Sequence, residues 1–317
     1  MRTIFGPIPS RRLGQSLGID PVPSKTCNWN CVYCQLGRSK PMVNKRAEYI
    51  PREIILTQIQ ETLTSHIMDS VNWITFVGSG EPTLHSGLGW LIAETKKLTK
   101  IPVAVITNGS LLYQPEVRLE LMLADAVLPS LDAGDPETYK KINRPFGELT
   151  YKRLVDGLIA FRQEYTGHLW VEIMLVAGVN DTLPALKLMA EKLQLIQPNQ
   201  VHITLPVRPP AEPWVHPPDD DGVLRAKAVL GEIAKIARPF DGKLEISGHK
   251  NLTDAIVGII TRHPMREDQL VEVLIGWDRK EVHKTLSTLA SEGRIQSIER
   301  YGVRFWSMRQ AYYAEKQ

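Results

Sequence analysis

The chain has 317 residues, 43% hydrophobic and 23% charged, with a net charge of +3. These values are ordinary for a globular protein that buries its own core, and they exclude collagen-like, disordered and disulfide-framework chains. No apolar run nears the ~20 residues of a membrane helix, and Met1–Pro7 lacks the apolar core of a signal peptide. The expectation is a soluble, cytoplasmic protein with no membrane partner; the mild basicity permits a nucleic-acid partner without requiring one.

Short β-branched runs alternate with amphipathic helical patterns. Strands are predicted at Ser16–Asp20, Trp73–Val77, Val103–Thr107, Ala126–Ser130, Leu169–Val176 and Gln200–Leu205. Helices are predicted to begin near Pro51, Leu88, Pro115, Tyr151, Leu183 and Asp220. Pro51 and Pro115 suit a first helical turn, where a missing N–H costs nothing. Ile173-Met174-Leu175-Val176 is apolar on both faces, as in a strand covered on both sides. Six βα units in series predict an α/β fold with a parallel sheet. A closed barrel needs eight, so the expectation is an open, partial (βα)6 barrel.

The stretch 205–221, LPVRPPAEPWVHPPDDD, cannot form a regular element; it is an ordered loop over one barrel end or a linker. After Ser247-Gly248 the pattern changes. Helices are predicted at Leu252–Arg262, Arg266–Ile275 and Arg279–Glu292, the last stopped by Gly293. A hairpin, Arg294–Arg300 and Val303–Ser307, turns at Tyr301-Gly302. Three helices and a two-stranded wing are the arrangement of a small C-terminal winged helix-turn-helix domain. The expected domains are 1–247 and 248–317, the second folding on its own.

All three cysteines lie in one loop, Cys27-Asn-Trp-Asn-Cys31-Val-Tyr-Cys34. An odd, clustered set is a poor disulfide framework and a good metal site. Three thiolates on one loop can each hold one iron of a [4Fe-4S] cubane, leaving the fourth iron open to another ligand. A structural zinc would need a fourth Cys or His at short spacing, and the loop offers none.

This C-x3-C-x2-C spacing, with Tyr33 as the aromatic before the last cysteine, resembles the signature of the radical S-adenosylmethionine (radical SAM) superfamily. The resemblance implies an enzyme whose open iron chelates the methionine end of S-adenosylmethionine. One electron then breaks the sulfur–C5′ bond and releases a 5′-deoxyadenosyl radical. A low-potential donor such as flavodoxin or ferredoxin would supply the electron. Tyr33 would pack near the adenine. Gly78-Ser79-Gly80-Glu81 resembles the family's G-G-E segment, whose carbonyls accept from the ligand's ammonium; Ser79 replaces the commoner glycine. Thr107-Asn108-Gly109 resembles a T-N-G segment lining the cavity. Ser130-Leu131-Asp132-Ala133 resembles S-L-D-A, which implies roles for Ser130 and Asp132 at the ribose and methionine. The turn Gly178-Val179-Asn180-Asp181 resembles the adenine-side loop. The implied cofactor-binding set is therefore Tyr33, Gly78, Ser79, Gly80, Glu81, Asn108, Ser130, Asp132 and Asn180, with no catalytic residue assigned. Glycine turns and helix capping are the structural alternatives for these segments. Arg208, and the adjacent pair Arg11 and Arg12, could meet a carboxylate or phosphate or simply be solvated.

Ser130–Gly134, Tyr139–Pro145 and Glu81–His85 together resemble the catalytic domain of tRNA wyosine synthases and their bacterial relatives, over about residues 15–205. Archaeal members use further cysteines and eukaryotic ones a flavodoxin domain, both absent here. Two substrate classes remain open: an RNA or tRNA delivered by the winged helix, or a protein or peptide bound by it. Asp278–Lys284 places basic residues at the start of the candidate recognition helix. Residues 250–317, however, hold 11 Lys+Arg against 9 Asp+Glu. An iron–sulfur transcriptional sensor would have no use for the G-S-G-E and S-L-D-A segments.

Overall fold

The computed structural model describes residues 2–237, 251–274 and 276–315. The chain opens with a hairpin, β1 (Ile4–Ser10) and β2 (Gly14–Ile19). Then α1 (Arg52–Leu63) precedes β3 (Trp73–Phe76), α2 (Leu88–Leu98) precedes β4 (Val103–Thr107), and α3 (Pro115–Leu121) precedes β5 (Ala126–Pro129). Two helices, α4 (Pro136–Ile142) and α5 (Tyr151–Glu164), lead to β6 (His168–Met174). Next, α6 (Leu183–Ile196) leads to β7 (Gln200–Thr204), and α7 (Asp220–Leu230) to β8 (Ala234–Ile236).

The eight strands form one sheet in chain order, with β1 antiparallel to β2 and β2 through β8 parallel. Strand alternation splits its faces. Leu17, Ile19, Ile74, Phe76, Val105, Val171 and Ile203 pack outward into the large core shared with the helices. Ala104, Ala126 and Leu128 point inward, where Leu13, Trp73, Ile106 and Trp170 close a second, smaller core at one end of the half-barrel.

All six predicted strands are present, and the helices start within a residue of their predicted positions. The sheet is wider than the expected (βα)6 unit by two edge strands. β1 carries Pro7 and Pro9, which break a strand pattern but are tolerated at an edge. β8 has three residues, too few to show a period.

The C-terminal region contains α8 (Leu252–Arg262), β9 (Met265–Arg266), α9 (Glu267–Val273), α10 (Arg279–Ser291), β10 (Ile295–Arg300) and β11 (Val303–Met308). The three strands pair in the order β10-β11-β9, and Tyr301 and Gly302 take the positive φ their turn requires. Ile256, Ile260, Leu270, Leu274, Val282 and Leu286 form a core of their own. The expected boundary at 247–248, and Ile275, lie outside the described residues. No helix among the described residues is long and apolar enough to cross a membrane.

Candidate metal and cofactor site

The cysteine loop leaves the end of β2 and lies over the strand ends that carry the other predicted segments. Its docking on the β3 end is close. Glu81 N donates to Thr26 O at 2.8 Å, Lys25 N to Ser79 O at 2.6 Å, and a Cβ on Gly80 would sit 2.0 Å from Thr26 O. No residue but glycine fits at position 80. On its other side, Val32 N donates to Ile142 O and Phe146 N to Asn28 O. The proline-rich 205–221 stretch is an ordered cover. Glu212 N donates to Val32 O, and the Glu212 carboxylate holds Arg38 at 2.6 and 2.8 Å and Arg144 at 2.5 Å.

Cys27, Cys31 and Cys34 are half-buried, free thiols. Each sulfur receives an N–H. Trp29 N reaches Cys27 at 3.4 Å, Asn143 Nδ2 reaches Cys31 at 3.7 Å, and Lys25 Nζ reaches Cys34 at 3.2 Å. Burial pushes the Cys27 thiol up to about 12 and Cys31 in the same direction, so binding of a metal must displace their protons. Among the described residues no three His, Cys, Asp or Glu side chains converge to hold one ion. Three thiols on one loop, each with an N–H donor that suits thiolate sulfur, fit a cubane in which each takes a different iron.

Tyr33 O–H donates to Asp132 Oδ2 at 2.5 Å. Asp132 also accepts from Asn143 Nδ2 at 2.6 Å and Met174 N at 2.8 Å, so its carboxylate joins the cysteine loop to the ends of β5 and β6. Asn180 is fully buried, and its amide is engaged by Val176 N, Asp132 O and Met174 O. It fixes the loop after β6 with no group to spare. Glu81 is a brace of the same kind. Its carboxylate accepts from Thr83 N, Thr83 Oγ1, Thr107 Oγ1 and Asn108 N at 2.6–2.9 Å, and burial raises its pKa. Asn108 Nδ2 reaches on to Asn28 Oδ1 at 2.7 Å. Ser79 donates through N and Oγ to Asp20, at 3.1 and 2.6 Å. Among the described residues, the carbonyls of Gly78 and Gly80 and the hydroxyl of Ser130 accept or make no hydrogen bond.

The nine predicted residues therefore line one rim. Tyr33, Ser79, Glu81, Asn108, Asp132 and Asn180 are tied into its framework, whereas Gly78, Gly80 and Ser130 keep polar groups free. Lys25, Asp20, Asn28 and Asn143 escaped the sequence reading; Asn and Lys in a loop carry no distinguishing signal. Arg262 also escaped it. From α8 it meets Asp20 Oδ2 at 3.2 Å, which links the C-terminal region to Ser79. The C-terminal region adds three contacts to the cysteine loop, two from the tail and one from α8. Arg38 N donates to Tyr312 O at 2.7 Å, Tyr313 O–H to Gln35 O at 2.5 Å, and Gln35 Nε2 to Arg262 O at 2.9 Å.

Residues 22–187 match the model of the family described as the radical SAM superfamily. The chain is 33% identical over 315 residues to a UPF0026 protein of Methanocaldococcus jannaschii, covering 96% of each. It is 35% identical over 298 residues to a Brachyspira hyodysenteriae protein named GTPase Obg, covering 93% of this chain and 43% of that one. The chain thus spans less than half of that relative. Among solved structures, a radical SAM methyltransferase from Sphaerobacter thermophilus shares the fold at 14% identity and a TM-score of 0.50, covering 70% of this chain and 66% of that chain.

Proposed function

Since the chain belongs to the radical SAM superfamily and, within it, to the UPF0026 proteins, and so is an enzyme that uses a [4Fe-4S] cluster and S-adenosylmethionine, we propose that Cys27, Cys31 and Cys34 hold the cluster and that the protein modifies RNA. When bound, the two cofactors supply reductive cleavage of the sulfonium to a 5′-deoxyadenosyl radical. The observation that carries the assignment is the cysteine loop itself, pinned to the ends of β3 and β4 with an N–H aimed at every sulfur. The residues then divide their work. The free Gly78 and Gly80 carbonyls take the ligand's ammonium, and the Ser130 hydroxyl takes its ribose or carboxylate. Asp132 holds Tyr33 beside the adenine, Asn180 fixes the adenine-side loop, and Glu81, Ser79 and Asn108 keep the carbonyl turn in place. The 205–221 cover and the C-terminal tail exclude water.

Residues 248–317 are read as a winged helix-turn-helix domain attached to a catalytic domain of residues 1–247. RNA, rather than a protein or peptide, is supported by α10, whose exposed Arg279, Lys280 and Lys284 make no ion pair among the described residues. Flavodoxin or ferredoxin would deliver the electron in the cytoplasm. Mass spectrometry of total RNA nucleosides and of the proteome in a deletion strain tests the substrate. A lost RNA modification, with tRNA affinity that falls steeply with salt, supports this reading. A lost peptide modification with unchanged RNA replaces it by the protein-modifying alternative.

A further inference from the structure

The inside of the half-barrel holds more positive charge than its carboxylates neutralise. Arg12, from the β1–β2 turn, is paired with Glu172 of β6, with Nη2 at 3.2 Å from Oε2. Arg262 is paired with Asp20. Arg11 and Arg208 have no ion pair or hydrogen bond among the described residues, and Arg208 Nη1 is buried without a partner. Beside them lies His263, the residue after α8, with both ring nitrogens buried and unpartnered. Its ring packs edge-on against Phe5, 6.2 Å between centroids, and Phe5 in turn covers Gly18 on the inner face of β2. These groups come from the first turn, the loop after β7 and the C-terminal region, so only the tertiary fold assembles them.

Burial and then Arg11 hold Arg208 down to about 10; burial and then Arg208 hold His263 well below the ordinary histidine range. Glu172 feels Arg12, Arg11 and also Asp132, so the cluster adjoins the rim described above. Sheltering the Arg11 and Arg208 guanidinium groups near one another, when the only carboxylate acting on Arg11 is Glu172 and that one is already paired with Arg12, is costly, and such a cost persists where a ligand removes it. A planar guanidinium fork matches an oxyanion, and two unneutralised cations match a dianion better than a single carboxylate.

We propose that Arg208, Arg11 and the His263 ring form a seat for a phosphate group of the substrate, inside the half-barrel and completed by the C-terminal region. This rests on the reading of the half-barrel as the reaction chamber, yet its test does not require turnover. Cluster-loaded protein is melted anaerobically with inorganic phosphate, acetate or chloride at equal ionic strength, for wild type, Arg208→Met and Arg11→Gln. Phosphate should raise the wild-type melting temperature by ~5 °C at saturating concentration, with acetate and chloride near zero. Both variants should bind phosphate at least ~10-fold more weakly. Arg208→Met should itself melt at or above the wild-type temperature without ligand, because it removes an uncompensated charge. Phosphate no better than acetate, or equal phosphate binding by Arg208→Met, overturns the seat. An Arg208→Met protein less stable than wild type, with no phosphate effect on either, makes Arg208 a structural residue instead. Each of these outcomes stands whether or not the enzyme cleaves S-adenosylmethionine.

Discussion

Replacing Glu81 by alanine should unfold the rim before it affects any ligand. The carboxylate is 2% exposed and satisfies four donors: Oε1 takes Thr83 N, Thr83 Oγ1 and Thr107 Oγ1, and Oε2 takes Asn108 N. Alanine strands all four; at about 1 kcal/mol each the loss is roughly 4 kcal/mol. For a chain of this size each kcal/mol is worth ~2–4 °C, so the melting temperature should fall by about 8–16 °C. Glutamine separates geometry from charge. With its carbonyl oxygen in the Oε1 place it keeps three donors and turns an amide nitrogen toward Asn108 N, which costs only about 1–3 kcal/mol. S-adenosylmethionine affinity, measured by equilibrium dialysis on cluster-loaded protein, should follow the same order, because Glu81 acts on the ligand through the Gly78–Gly80 turn. An alanine variant that melts within ~2 °C of wild type would refute the brace. So would a glutamine variant as damaged as alanine.

Arg262→Met should cost about 3–5 kcal/mol by chemical denaturation, since it leaves Asp20 buried with only Ser79 as partner. The double variant with Asp20→Asn should recover much of it, and equal losses in both would deny the pair. His202 is held down to about 4, first by burial and then by Arg12 and Lys235. Between pH ~6.5 and ~4 the unfolded chain binds a proton that the native one does not, so this residue removes up to ~3 kcal/mol as pH falls through that window. The melting temperature of His202→Gln should therefore fall less on acidification than that of wild type; parallel pH profiles would contradict the assignment. A chain ended at residue 247 loses Tyr312 and Tyr313 from the cysteine loop, so it should take up less iron on anaerobic reconstitution than the full chain. Iron content equal to the full chain's would show that the tail only covers the site.

The residues that were legible in the sequence are those whose signals are local. Six strands, their helices, α8, α10 and the β10–β11 hairpin follow from apolar period, first-turn prolines and the Tyr301-Gly302 turn, all set within one element. The three cysteines stand out as a candidate metal site because an odd set within one loop is a poor disulfide framework and leaves zinc without its fourth ligand. What the sequence could not show is pairing across distance. Arg262 meets Asp20 across 242 residues, and Tyr313 meets Gln35 across 278, with no local pattern to mark either. The same limit hid the roles of Glu81 and Asn180. Motif likeness placed both in the ligand-binding set; the fold engages the Glu81 carboxylate with Thr83, Thr107 and Asn108, and the Asn180 amide with neighbouring backbone. It also hid the attachment of the C-terminal region to the cysteine loop: the sequence reads as a separate module, whereas the structure ties α8 and the tail into that loop.

The central claim is that Cys27, Cys31 and Cys34 hold a cluster used on S-adenosylmethionine. The most direct test is anaerobic reconstitution of wild type and of the single Cys31→Ala variant, followed by chromatography for 5′-deoxyadenosine after addition of dithionite and S-adenosylmethionine. Wild type should carry about four irons and four sulfides and release 5′-deoxyadenosine, whereas Cys31→Ala should do neither. A Cys31→Ala protein that keeps a full cluster and forms the product, or a fully loaded wild type that forms none, would contradict the account.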